Sequence, residues 1–109
     1  MRKSTHSLAS IILLLEAEMR KAGLWEDKAP PREAINSNSP FCYDTLRFSQ
    51  WLQWVFLPKV KTLLENDEIL PKSSHILPYA YHTLNAQNCA NHKLLLLINE
   101  FDQIINRSS

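Results

Sequence analysis

Three features of this 109-residue sequence predict an all-α fold, a four-helix bundle with a long packed loop between its first and second helices. Glycine occurs once, and the tight hairpins of an all-β chain lean on glycine. Apolar residues recur at three- and four-residue spacing near both ends of the chain, and no stretch alternates as a strand would. Hydrophobic residues make up 45% of the chain, a globular proportion, and this length makes one domain, 1–109.

The first helix is expected from about Thr5 to Ala22, with Leu8, Ile11, Ile12, Leu15 and Met19 as its buried face. Gly23 follows the basic pair Arg20 and Lys21, where a C-terminal cap belongs. Residues 24–43 then read as irregular. Pro30 and Pro31 forbid a continuing helix, "NSNSP" is turn chemistry, and Trp25, Ile35, Phe41 and Tyr43 give the loop apolar residues to pack down with. Asp44 or Thr45 is suited to cap a second helix running to about Asn66. A short third helix follows "LPKSSHILP", with Ser74 as a cap and Pro78 in its first turn, and ends near Gln87. Asn88 or Asn91 opens the fourth, which buries Leu94, Leu97, Ile98, Phe101, Ile104 and Ile105 and ends near Asn106.

The second helix carries "WLQWVFLP" at 51–58. At ~100° per residue, Leu52, Phe56, Val60, Leu63 and Leu64 gather on one side, and Trp51, Trp54, Val55 and Pro58 on the other. The tryptophans are thus expected to form a second apolar surface, covered either by the loop, through Trp25, Pro30, Pro31 and Phe41, or by a partner, since tryptophan is a favoured hot-spot anchor. Pro58 removes the hydrogen bond to the Trp54 carbonyl and is expected to bend the helix.

Several function classes fall away. One glycine excludes the phosphate-cradling loops of nucleotide-binding motifs. A net charge of +1, spread along the chain, offers no basic stripe for nucleic acid. Cys42 and Cys89 are too few for a disulfide scaffold and suit a reducing compartment. The N-terminus imitates a secretion signal, but Glu16, Glu18, Arg20 and Lys21 follow its apolar stretch at once, without a small-x-small cleavage site. That stretch is also far short of the ~20 apolar residues of a membrane span. A cytoplasmic protein without membrane contact is expected.

Chemistry-bearing clusters are weak. Cys89, His92 and His82 supply three ligand types but no fourth at zinc spacing. No pattern signals an orienting group and oxyanion pocket beside a cysteine nucleophile. Glu16 and Glu18, two apart on a helix, face different ways. No catalytic, cofactor-binding or metal residues are therefore assigned. Tyr43, Arg47, Trp51 and Trp54 come closest to an aromatic–basic face for structured RNA.

The stretch "SNSPFCYDTLRFSQWLQWVFLPKVKTLL", with "LP" and "ILPYA" after it, resembles the YqcC family of small bacterial proteins of uncharacterised function. Ser39, Pro40, Phe41, Asp44, Thr45, Trp51, Leu52, Gln53, Trp54, Val55, Pro58, Leu70, Pro71, Pro78 and Tyr79 carry it. The resemblance implies an all-α bundle and a gammaproteobacterial source. It also implies an accessory role near a tRNA pseudouridine synthase, whose gene often neighbours those of the family. Gln50 stands where the family often has an acid, and Tyr81 and His82 replace an acidic position. The expectation is a non-catalytic interaction module for a protein such as an RNA-modifying enzyme, with Trp51, Trp54, Pro58, Phe41, Asp44 and Tyr79 as its candidate surface. Direct binding of structured RNA and an enzyme of unrecognised type are the alternatives.

Overall fold

The computed structural model describes residues 2–86 and 91–108, with side chains from 7 to 84 and from 91 to 107. Among the described residues all regular structure is helical. The order is α1 (Arg2–Lys21), α2 (Arg32–Ile35), a 3₁₀ turn (Pro40–Cys42), α3 (Phe48–Trp51), a π-helical turn (Leu52–Phe56), α4 (Leu57–Glu65), α5 (Leu77–Ala86) and α6 (His92–Ser108). The segments at 48–65 follow one another without a break and are called the tryptophan helix below. No helix among the described residues is long and apolar enough to cross a membrane.

Leu8, Ile11, Ile12, Leu15 and Met19 are buried, so α1 presents the face its spacing predicts. Each such side chain contributes about 1.5–3 kcal/mol relative to exposure. The helix ends at Gly23, whose φ of 76° is left-handed. There the Leu24 N–H donates to the Met19 carbonyl at 2.9 Å and the Gly23 N–H to that of Arg20 at 3.2 Å, closing off two orphan acceptors. A side chain at this φ would add about 1–2 kcal/mol of strain.

α6 buries Leu94, Leu97, Ile98, Phe101 and Ile105 on one stripe against α1. Asn91 opens it, accepting the Leu94 N–H on Oδ1 at 3.0 Å. The same side chain donates from Nδ2 to Glu18, near the end of α1, at 3.0 Å, so the two helices run antiparallel. Gln87, Asn88 and Cys89 lie outside the described residues.

α5 is capped from another helix. Asp102 of α6, 7% exposed, accepts the Leu77 N–H at 2.8 Å and the Ser74 hydroxyl at 2.5 Å. One turn on, Asn106 holds Ser74 at both its N–H and its carbonyl. Ser74 is thus a tether rather than the cap expected of it, because a buried carboxylate accepts more strongly than a hydroxyl.

The segment at 24–43 is not a bare loop, since it contains α2 and the 3₁₀ turn. Nor do Asp44 and Thr45 cap the second helix. Asp44 accepts the Ser37 hydroxyl at 2.6 Å and Thr45 donates to the Ala34 carbonyl at 2.7 Å, so both tie this segment together. The helix starts at Phe48, where Gln50 reaches back to accept the Arg47 N–H at 2.8 Å.

Candidate functional site

The tryptophan helix contains a full turn of π-helix just ahead of its proline. The Leu57 N–H donates to the Leu52 carbonyl, five residues back instead of four. Pro58, with no N–H, cannot continue the four-back ladder, and the wider turn lets the chain enter α4 with proline near its start. Inserting a π-turn changes which residues share a face. In an α-helix, residues five apart point about 140° from each other. Here Trp51 and Phe56 bring their ring centroids within 5.4 Å.

Trp51 therefore faces the core side. Besides Phe56 it meets Phe41 edge-on at 4.9 Å and Phe48 at 5.8 Å. Phe41 also stacks on Tyr79 of α5 at 4.4 Å, with the rings 6° from parallel. Phe41 reaches this position from a backbone with φ of 57°, followed by Cys42 at 49°. Left-handed conformations in non-glycine residues cost about 1–2 kcal/mol each, so ring contacts hold this turn in place.

Trp54 faces elsewhere. Its indole N–H donates to the Glu26 carboxylate at 3.3 Å, and that carboxylate also receives Arg47 at 2.9 Å and Gln50 at 3.3 Å. Beside it Gln53, 4% exposed, forms a two-point clasp with the Glu26 main chain. It accepts the Glu26 N–H at 2.8 Å and donates to the Glu26 carbonyl at 2.7 Å. The clasp fixes residues 24–27 against the helix as a strand partner would, satisfying a polar side chain in otherwise apolar surroundings.

Between these elements lies a cleft of about 420 Å³, lined by Arg20, Trp25, Glu26, Asp27, Gln53, Trp54, Leu57, Pro58 and Lys61. The Arg20 guanidinium sits 4.7 Å from the Trp25 ring centroid, an attractive cation–π placement. Glu16 pairs with Arg20 at 3.0 Å and Lys61 at 3.5 Å, joining α1 to α4. Burial by itself raises the Glu16 carboxyl, but its bonds to Arg20 and Lys61 outweigh that and hold it below its ordinary value.

The fold is shared with a solved protein. The solution NMR structure of YqcC from Escherichia coli superposes with a TM-score of 0.83 at 26% identity, covering 97% of this chain and 91% of that one. In sequence, Escherichia coli YqcC is 36% identical over 77 residues, 70% of this chain and 71% of the relative. A family profile described as tRNA pseudouridine synthase C matches residues 7–104. The chain belongs to the YqcC-like family. An uncharacterised Haemophilus influenzae protein is 38% identical over 74 residues, 68% of this chain and 70% of that one. A tRNA pseudouridine synthase C of Pectobacterium carotovorum is 42% identical over 59 residues, 54% of this chain but 16% of the synthase.

The residues that carry the YqcC-like resemblance do not form one patch. Trp51, Phe41 and Tyr79 meet in the aromatic stack. Trp54 and the exposed Pro58 border the cleft, and Asp44 sits apart, bonded to Ser37. The second apolar surface expected from the wheel is thus divided, because ~100° per residue does not hold through the π-turn. The aromatic–basic face is divided too: Arg47 is bonded to Glu26, and Tyr43 is 61% exposed while Trp51 is packed. Glu26 and Gln53, bonded to each other at the cleft, are the residues of the candidate site that periodicity does not place. The available signal was Gln53 itself, one polar residue in an apolar turn and in need of a partner. The three-ligand set falls on Cys89, outside the described residues, and His82 and His92 are exposed.

Proposed function

We propose that the chain is a non-catalytic interaction module, an accessory subunit of an RNA-modifying enzyme of the pseudouridine synthase type. The scaffold is read as a bundle of four long helical rods belted by the packed segment between the first two. The observation that carries the proposal is the cleft at Trp54 and Pro58, where the family's signature helix leaves an indole and a proline incompletely covered. Large aromatic side chains in such positions are strong anchors for a partner. The partner class is supported by the Pectobacterium carotovorum synthase, in which a segment like this chain occupies a minor share of a longer protein.

The test is binding of the purified chain to that tRNA pseudouridine synthase C, by calorimetry and by co-elution in size-exclusion chromatography. Wild type is expected to form a complex, and Trp54→Ala, checked for fold by circular dichroism, to weaken it at least ~10-fold. Absence of a complex at tens of micromolar, or equal binding by both forms, contradicts the proposal.

A further inference from the structure

The cleft has a distinct recognition chemistry. Two indoles from different elements, Trp25 and Trp54, border it together with Leu57 and Pro58. Its charges are mostly satisfied internally: Arg20 and Lys61 share Glu16, and Glu26 holds Arg47. Two groups are left over. The exposed Asp27 carboxylate has no ion pair or hydrogen bond among the described residues. The Trp25 indole N–H likewise has no acceptor among them and is not buried, which leaves it free to donate to an incoming group.

From these we infer that the cleft binds an extended, proline-bearing segment of a partner protein with a lysine or arginine beside the proline. The Arg20 guanidinium already covers the Trp25 ring, so a prolyl ring seats on the Trp54 indole, and a polyproline II segment arrives with little conformational entropy left to lose. Its carbonyls make no internal hydrogen bonds, so one is available to the Trp25 N–H. The basic residue then meets Asp27, the one charge lining the cleft that is unpaired among the described residues. A nucleic-acid strand fits less well, since the unpaired Asp27 faces its phosphates while the two lining cations are already paired with Glu16. This inference rests on the interaction-module reading and adds the chemistry of the occupant.

The experiment follows the three indole N–H resonances of the full chain by NMR. The probes are acetyl-Pro-Pro-Leu-Pro-Pro-Arg-amide, the same peptide ending in glutamate, and a uridine hexanucleotide. Saturable movement of the Trp25 and Trp54 resonances, with Trp51 unmoved, is expected on adding the arginine peptide. The glutamate peptide is expected to bind about 3-fold more weakly, and Asp27→Asn, a surface change that leaves the fold alone, to remove that difference. No saturable movement, movement at Trp51 instead, equal affinity of the two peptides, a preference that survives Asp27→Asn, or stronger binding of the oligonucleotide would each overturn it. If the peptides fail while Trp54→Ala still weakens the synthase complex, only the occupant's chemistry is wrong. If the complex itself never forms, the module reading fails.

Discussion

The α1–α6 interface and the tryptophan helix both draw on apolar-rich sequence and solve different problems. Along α1 and α6 the buried residues keep helical spacing, and polar groups enter where Asn91 meets Glu18 near the helix ends and where Asp102, within α6, caps α5. In the tryptophan helix polar groups enter at the first turn, through Gln50, and further along, through Gln53 and Trp54, and the ladder itself changes pitch before Pro58. Regular spacing builds a face that can be closed by another helix. The irregular helix serves two neighbours at once, giving Trp51 to the aromatic stack and Trp54 to the cleft.

The two regions are held by different polar joints, and removing each should cost a different amount. Asp102→Ala removes the carboxylate that caps the partly buried start of α5 and leaves the Leu77 N–H and Ser74 hydroxyl without it. About 2–3 kcal/mol of stability should be lost, read as a lower midpoint of urea unfolding with an unchanged slope. Gln53→Ala undoes the clasp on Glu26 and should cost less, about 1–2 kcal/mol, because a loop can turn the freed groups to water. Its signature is local: exchange of the Glu26 amide should accelerate far more than that of residues in α6. A larger global loss from Gln53→Ala than from Asp102→Ala would reverse the ranking of the two regions.

The smallest effect concerns the ion pairs that join α1 to α4. Because Glu16 is held below its ordinary value in the folded chain, its contribution is complete above the unfolded carboxylate range and is lost as pH falls through the folded value. Glu16→Gln should therefore cost well under about 1 kcal/mol near neutrality, with these partly exposed partners, and progressively less as pH falls through the folded value. A penalty that persists undiminished in acid would assign it to packing instead of charge.

Much of this molecule was legible in its sequence, and what was not has a physical reason. The buried faces of α1 and α6, the Gly23 cap and the Asn91 start follow from spacing and from local capping chemistry, which act over a few residues. The π-turn does not, since proline forbids one hydrogen bond without dictating how the preceding turn compensates. Once the pitch changes, Trp51 and Phe56 become neighbours and a uniform wheel misplaces them. The Glu26 hub and the Asp102 cap join residues 21 to 28 positions apart, which no local pattern encodes. Phe41 was recognised as a candidate surface residue, but its left-handed backbone was not, because local preference argues against that conformation for an aromatic residue.

The π-turn sends the two tryptophans to different neighbours. Proton–proton contacts measured by NMR around their indole rings address it directly. Trp51 should show contacts to the Phe56 and Phe41 rings, and Trp54 contacts to Glu26 with none to Tyr79 or Phe41. Contacts from both indoles to one shared set of residues, with Trp51 and Phe56 apart, would mean an ordinary α-helix without the π-turn.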